Sequence, residues 1–141
     1  MRGTDTPRFL LLMPPEEEFD DLRQYITSSL QEAGIEPINP FGEGAIKRGY
    51  STDDFIQIRK AIERADVVIV DMTGNNPDVM VNTGYALAER KYVLPIVQRT
   101  AKRVPASIGN RLYVFYDPSD PAQLSDKIKM YTLSRLRGRK E

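Results

Sequence analysis

Short runs of unbroken apolar residues are what most restrict the fold of this chain. Phe9-Leu10-Leu11-Leu12-Met13 and Val67-Val68-Ile69-Val70 carry no polar residue, and Tyr92 to Val97 has the same character. A strand with one wet face alternates apolar and polar residues, so unbroken runs of this length mark strands buried on both faces. Between them the apolar residues change to spacings of three and four. Phe19, Leu22, Ile26 and Leu30 form one such stripe, and Phe55, Ile58, Ile62 and Ala65 another. Each is the inner face of a helix. Val79 to Arg90 reads as a third helix, and Leu124, Ile128 and Tyr131 mark a last one. Ile35 to Asn39 and Leu112 to Tyr116 supply further strands, so strands and helices alternate. The pattern predicts an α/β domain with a parallel sheet and right-handed crossovers. Five strands suit a flavodoxin-like three-layer sandwich, a five-stranded parallel sheet in the order 2-1-3-4-5.

Local signals agree with this division. Glu16, Glu17 and Glu18 occupy the first turn expected for the first helix, where they favour its dipole, and Gly34 closes it. Pro40 to Ser51 holds three glycines and a proline and reads as a loop, after which Thr52 or Asp53 caps the second helix. Gln98 to Asn110 is irregular. The 141 residues suit one domain spanning 1–141, with 1–7 and 136–141 as flexible ends; the basic residues Arg135, Arg137, Arg139 and Lys140 belong to a solvated terminus.

Composition narrows the chemistry. Lys and Arg total 20 against 20 Asp and Glu, so no global field favours a nucleic-acid polymer or a membrane surface. Absent cysteine removes disulfides and thiolate chemistry; absent histidine removes imidazole bases, histidine triads and most transition-metal sites. No metal and no cofactor is expected. Catalysis, if any, must use carboxylates, hydroxyls, Lys, Arg or backbone amides. No apolar run approaches the ~18 residues of a membrane span, and a cytoplasmic location is the expectation.

In a 2-1-3-4-5 sheet the chain reverses direction between strands one and three, and ligands bind there, outside the carboxyl ends of the strands. Two loops would line that crevice, Met13-Pro14-Pro15-Glu16 and Asp71 to Asp78. The second ends in a marked helix start, with Asn76 as cap, Pro77 at the first helical position and Asp78 in the first turn. Such a start suits a hydroxyl-rich or anionic ligand. Asp71 reads either as a ligand-binding carboxylate or as an Asx turn holding Thr73 and Gly74. Asp78 reads as a partner of the helix dipole or a site carboxylate. Asn82, one turn further on, reads as an exposed amide or a site residue. Asp53 and Asp54 open the second helix, with capping as their main role. Gly84, Ala86 and Ala88 allow close packing on the sheet. Gly42-Glu43-Gly44 lacks the flanking strand and helix of a phosphate-binding loop.

At these residues the chain resembles the nucleoside 2-deoxyribosyltransferase-like superfamily, which includes deoxynucleotide N-glycosidases and bacterial TIR-like nucleotide-binding domains. The resemblance runs from Phe9 to Pro15, through Ala65 to Ala88, to Lys91-Tyr92-Val93-Leu94-Pro95-Ile96 and the later Val104-Pro105-Ala106. It implies cleavage of an N-glycosidic bond by a glutamate acting at the anomeric carbon, whose oxocarbenium-like transition state calls for a carboxylate. Asn82 stands at that glutamate's position, with Thr83 in place of the usual leucine. An amide has no charge to offer a developing cation.

Three readings follow. In the first, the domain binds a nucleoside, nucleotide or NAD-like ligand with weak or no cleavage; Met13, Pro14, Asp71, Thr73, Asn76 and Asn82 line the site, and Asp71 holds ribose hydroxyls. In the second, Asp78 or Asp71 replaces the missing glutamate and the protein is an active transferase or N-glycosidase, with Glu89 set too deep. In the third, the pocket has collapsed and the domain binds another protein. The resemblance also implies a homodimer or larger homo-oligomer, with 98–110 long enough to reach a neighbour.

Overall fold

β-branched and leucine-rich runs form the middle of the sheet because both their faces are covered. The computed structural model describes residues 6–45, 47–100 and 113–139. Its strands are β1 (Arg8–Leu12), β2 (Glu36–Pro37), β3 (Val67–Asp71), β4 (Tyr92–Gln98) and β5 (Val114–Tyr116). The helices are α1 (Asp20–Glu32), α2 (Thr52–Arg64), α3 (Pro77–Ala88) and α4 (Pro121–Arg139). The sheet has the order β2-β1-β3-β4-β5 with every neighbouring pair parallel. This is the expected flavodoxin-like α/β sandwich. β3 is central and buried at every position, pairing Val67 to Val70 with β1 and Val67 to Asp71 with β4.

Side-chain alternation divides the core in two. Phe9, Val67, Ile69, Leu94, Ile96 and Tyr116 meet Leu22, Ile26 and Leu30 of α1 and Leu124 and Ile128 of α4. Leu10, Leu12, Val68, Val70 and Val93 meet Ile58, Ala61 and Ile62 of α2 and Val79 and Ala86 of α3. The parity of β3 therefore decides which layer each of its side chains enters.

Several boundaries differ from the expected ones. Glu17–Phe19 form a short 3-10 turn, and α1 itself starts at Asp20. Gly34 closes α1 in the left-handed region at φ 86°, with Ile35 N–H donating to Leu30 O at 2.9 Å. The cap of α2 is Ser51 rather than Thr52 or Asp53. Its Oγ accepts from Asp54 N at 3.2 Å while Asp54 Oδ2 accepts from Ser51 N at 2.9 Å, a reciprocal capping box. Strand β2 is only two residues long: Ile38 N still donates to Phe9 O at 2.8 Å, but Pro40, the next position on the β1 side, has no amide hydrogen to extend the ladder. Helix α4 includes residues 136–139, which the sequence suggested as part of a loose end. Leu112, most of the 98–110 segment and Val104-Pro105-Ala106 lie outside the described residues. Among the described residues no helix is long and apolar enough to cross a membrane.

Candidate functional site

The brevity of β2 creates the site. It pairs with β1 only at Arg8↔Glu36 and Phe9↔Pro37, so the carboxyl half of β1 has no neighbour on that side. A crevice opens beside this free edge and encloses about 810 Å³, its open mouth included. Leu12 and Met13 form part of its floor; Arg23 and Thr27 enter from α1, and Asp78 and Asn82 from α3. Phe41, Lys47 and Tyr50 reach in from the loop after β2.

Helix α3 is aimed by its first turn. Asn76 Oδ1 accepts from Asp78 N at 3.0 Å and Val79 N at 3.1 Å, with Pro77 pre-set at the first helical position. Residues 78 and 82 then stand one above the other on the crevice side. Asn82 is only 3% exposed, and its Oδ1 has no hydrogen-bond partner. An unmet buried acceptor costs about 1–3 kcal/mol, so such a group is rare unless something else fills the bond. The Asp78 carboxylate has no partner either among the described residues. Thr83, by contrast, is self-contained: its Oγ1 donates to Val79 O at 2.7 Å.

Asp71 does not reach the crevice. The period of β3 turns it, like Val67 and Ile69, toward α1 and α4, while Asn82 sits on α3 across the sheet. It is fully buried; Thr73 N donates to Oδ1 at 2.9 Å and the Tyr116 hydroxyl to Oδ2 at 2.5 Å. Burial pushes its carboxyl above the ordinary range despite those two bonds. Asp71 is thus both the expected Asx turn and a tie between β3 and β5, and it is not among the residues lining the crevice. Thr73 is committed too, its Oγ1 accepting from Gln98 N at 3.0 Å. Pro14 is buried beside the crevice without lining it, its carbonyl accepting from Arg23 at 3.0 Å, and Asn76 serves as the cap. Of the six expected lining residues, Met13 and Asn82 line the crevice; Asp78, named as a possible catalytic group, joins them.

Arg23, Phe41, Lys47 and Tyr50 are crevice residues that sequence reasoning missed. The only hint was aromatic and cationic residues inside a glycine-rich loop. That loop is held by side chains: Phe41 stacks on Tyr50 at 5.9 Å, and Tyr50 meets Phe55 edge-on at 5.6 Å. Lys47 pairs with Asp54 at 3.0 Å. Arg48 grips Asp20 through two bonds of 2.9 and 2.6 Å and also donates to the Pro15 carbonyl. Arg23 shares Asp20 at 2.8 Å. The Arg48 hydrogen bond, then that of Arg23, hold the Asp20 carboxyl down at about 2, against an ordinary 3.8. A lowered folded value means that this stabilisation is complete above pH 3.8 and is lost as pH falls toward 2. Asp20→Asn should therefore destabilise the protein at neutral pH and cease to matter near pH 2. A Tm difference that stays constant down that acid range would contradict the pairing. Among the described residues no three carboxylates cluster as a metal site.

Comparison with known proteins follows from this geometry. No protein-family model matches the chain, and no curated protein matches it in sequence. Solved structures do. The CMP N-glycosidase BcmB of Clostridium botulinum superposes with a TM-score of 0.67 at 20% identity, over 88% of this chain and 98% of that one. The TIR domain of the Toll-related receptor TRR-2 of Hydra magnipapillata gives 0.64 at 16% identity, over 88% and 96%. A 2-desoxiribosyltransferase of Leishmania mexicana gives 0.54 at 14% identity, over 64% of each chain. All three share the flavodoxin-like α/β architecture of this chain. At these identities the likeness is one of architecture, and the chemistry rests on this chain's own side chains.

Proposed function

We propose that the crevice binds a nucleoside or nucleotide and that the protein cleaves its N-glycosidic bond weakly or not at all. One observation carries the reading: the buried, unpartnered Asn82 Oδ1 faces a crevice lined by aromatic rings and an unpaired carboxylate. Phe41 and Tyr50 offer faces for a base, and Asp78 and Asn82 offer acceptors for sugar hydroxyls. By the sequence resemblance Asn82 stands where the superfamily's glutamate meets the anomeric carbon, and a neutral amide would supply no electrostatic stabilisation there. The CMP N-glycosidase and the 2-desoxiribosyltransferase of like fold make this ligand class the natural one to test.

A second reading has one observation in its favour. Asp78 lines the same crevice without a partner, and among the described residues lining it this is the one carboxylate placed to take over cleavage. A dimer or larger assembly completing the site belongs to the same proposal.

A thermal-shift series with nucleosides, nucleotides and NAD tests the binding. A ligand at 100 times its Kd should stabilise the fold by about 2.7 kcal/mol. Asn82→Leu should abolish the shift while keeping the helix. If no compound shifts the unchanged protein, nucleoside and nucleotide binding is wrong and a protein-docking role takes its place.

A further inference from the structure

We propose that the crevice selects an unphosphorylated, donor-rich ligand of the nucleoside class, and that Asp54 and Asp20 are the residues that turn phosphate away. The proposal rests on the binding reading above and settles which form of ligand it concerns.

A phosphate site needs donors and net positive charge. Here the positive charge is already matched by acids. The charged groups lining the crevice are Arg23, Lys47 and Asp78. Arg23 pairs with Asp20, which Arg48 also holds, and Lys47 pairs with Asp54. Among the described residues of this network, Arg23, Lys47 and Arg48 are matched by Asp78, Asp20 and Asp54, so a dianion gains no net attraction from it. Lys47 is bound to Asp54 at 3.0 Å, with its ammonium also 5.3 Å from the Phe41 ring centroid. Arg23 spends Nη1 on Asp20 at 2.8 Å and Nη2 on the Pro14 carbonyl at 3.0 Å. Recruiting either cation to a phosphate means sharing it with an acid that already neutralises it.

The helix starts beside the crevice are closed in the same way. A free helix N-terminus is a ready anion site. At α3 the Asn76 side chain already takes the Asp78 and Val79 amides. At α2 the Ser51–Asp54 capping box satisfies the Asp54 and Ser51 amides.

What stays open is the opposite kind of group. Asn82 Oδ1 and the Asp78 carboxylate are acceptors without donors, one helical turn apart. Their complement is a molecule that brings hydrogens, such as sugar hydroxyls or an exocyclic amine. A phosphate brings none at neutral pH, and it would add like charge beside Asp78. Asp54 therefore acts on specificity by holding Lys47, and Asp20 by holding Arg23.

Calorimetric titration of the full chain with the four ribonucleosides and their 5′-monophosphates tests this. The expected result is at least one nucleoside binding about tenfold or more tightly than its monophosphate. Asp54→Asn keeps an oxygen for the α2 cap and releases Lys47. It should improve the monophosphate relative to its nucleoside by roughly three- to tenfold, the modest figure reflecting a half-exposed cation. If that variant fails to fold, Asp20→Asn makes the same test through Arg23. A monophosphate that binds the unchanged protein as tightly as its nucleoside overturns the selection and leaves ligand binding standing. A ratio unmoved in the folded variant overturns the role of the acids. Binding of neither compound overturns both this inference and the reading beneath it.

Discussion

Asn82→Glu is expected to raise release of free base from a bound nucleoside or nucleotide at least about a hundredfold over the unchanged chain. Removing a charge-stabilising group from a working site commonly costs ~10²–10³ in rate, and the substitution restores one. The register is already in place. Asn76 and Pro77 fix the start of α3, Asp78 stands one turn before residue 82, and the crevice opens on that face. A carboxylate there would face the anomeric carbon of a sugar held by Asp78. The substitution has a folding cost, because residue 82 is 3% exposed and the new side chain is longer and charged. A drop of about 1–3 kcal/mol is expected without ligand. Chromatography of released base, with both proteins at temperatures where both are folded, decides the matter. Turnover by the unchanged protein that Asp78→Asn abolishes would show that Asp78 had assumed the role. Silence from the Asn82→Glu protein with a ligand that demonstrably binds would refute the placement of residue 82 at the reacting carbon.

Asp71→Ala is expected to destabilise the fold by about 2–4 kcal/mol with ligand selectivity preserved. The substitution strands the Tyr116 hydroxyl and the Thr73 amide, both now bonded to a fully buried carboxylate. Tyr116→Phe removes a single bond and should cost less, about 1 kcal/mol. Urea denaturation measures both. If Asp71→Ala weakens ligand binding at temperatures where it is still folded, the carboxylate reaches the crevice after all. The pair also has a pH signature. Burial raises the Asp71 carboxyl, so its favourable contribution is greatest below the ordinary 3.8 and declines as pH rises through the folded value. Burial, with Asp71 beside it, raises the Tyr116 hydroxyl. Its contribution persists up to the ordinary 10.0 and is lost as pH climbs through the raised folded value.

The sheet was legible because burial on two faces leaves a mark that needs no neighbours to interpret. Unbroken Val67 to Val70 could only be central, and once strands alternated with helices the parallel order followed. The start of α3 was equally readable, since Asn76, Pro77 and Asp78 act within one turn of backbone. The cap of α2 was missed by one residue, because Ser51, Thr52 and Asp53 are all competent caps and only the return bond from Asp54 separates them.

The site was a different matter. Sequence placed Asp71 and Asn82 in one crevice because both stand beside the same loop. Side-chain parity along β3 sends Asp71 into the α1 and α4 layer, where Tyr116, 45 positions away, consumes it. Nothing near Asp71 in the chain announces that partner. Likewise the crevice extends from the carboxyl end of β1 onto its free edge, because β2 ends after two residues. Local chemistry, caps and strand burial act over a few residues, and the sequence alone determined them. Which polar groups are left without partners depends on who meets whom across the sheet, and that was decided only when the chain folded.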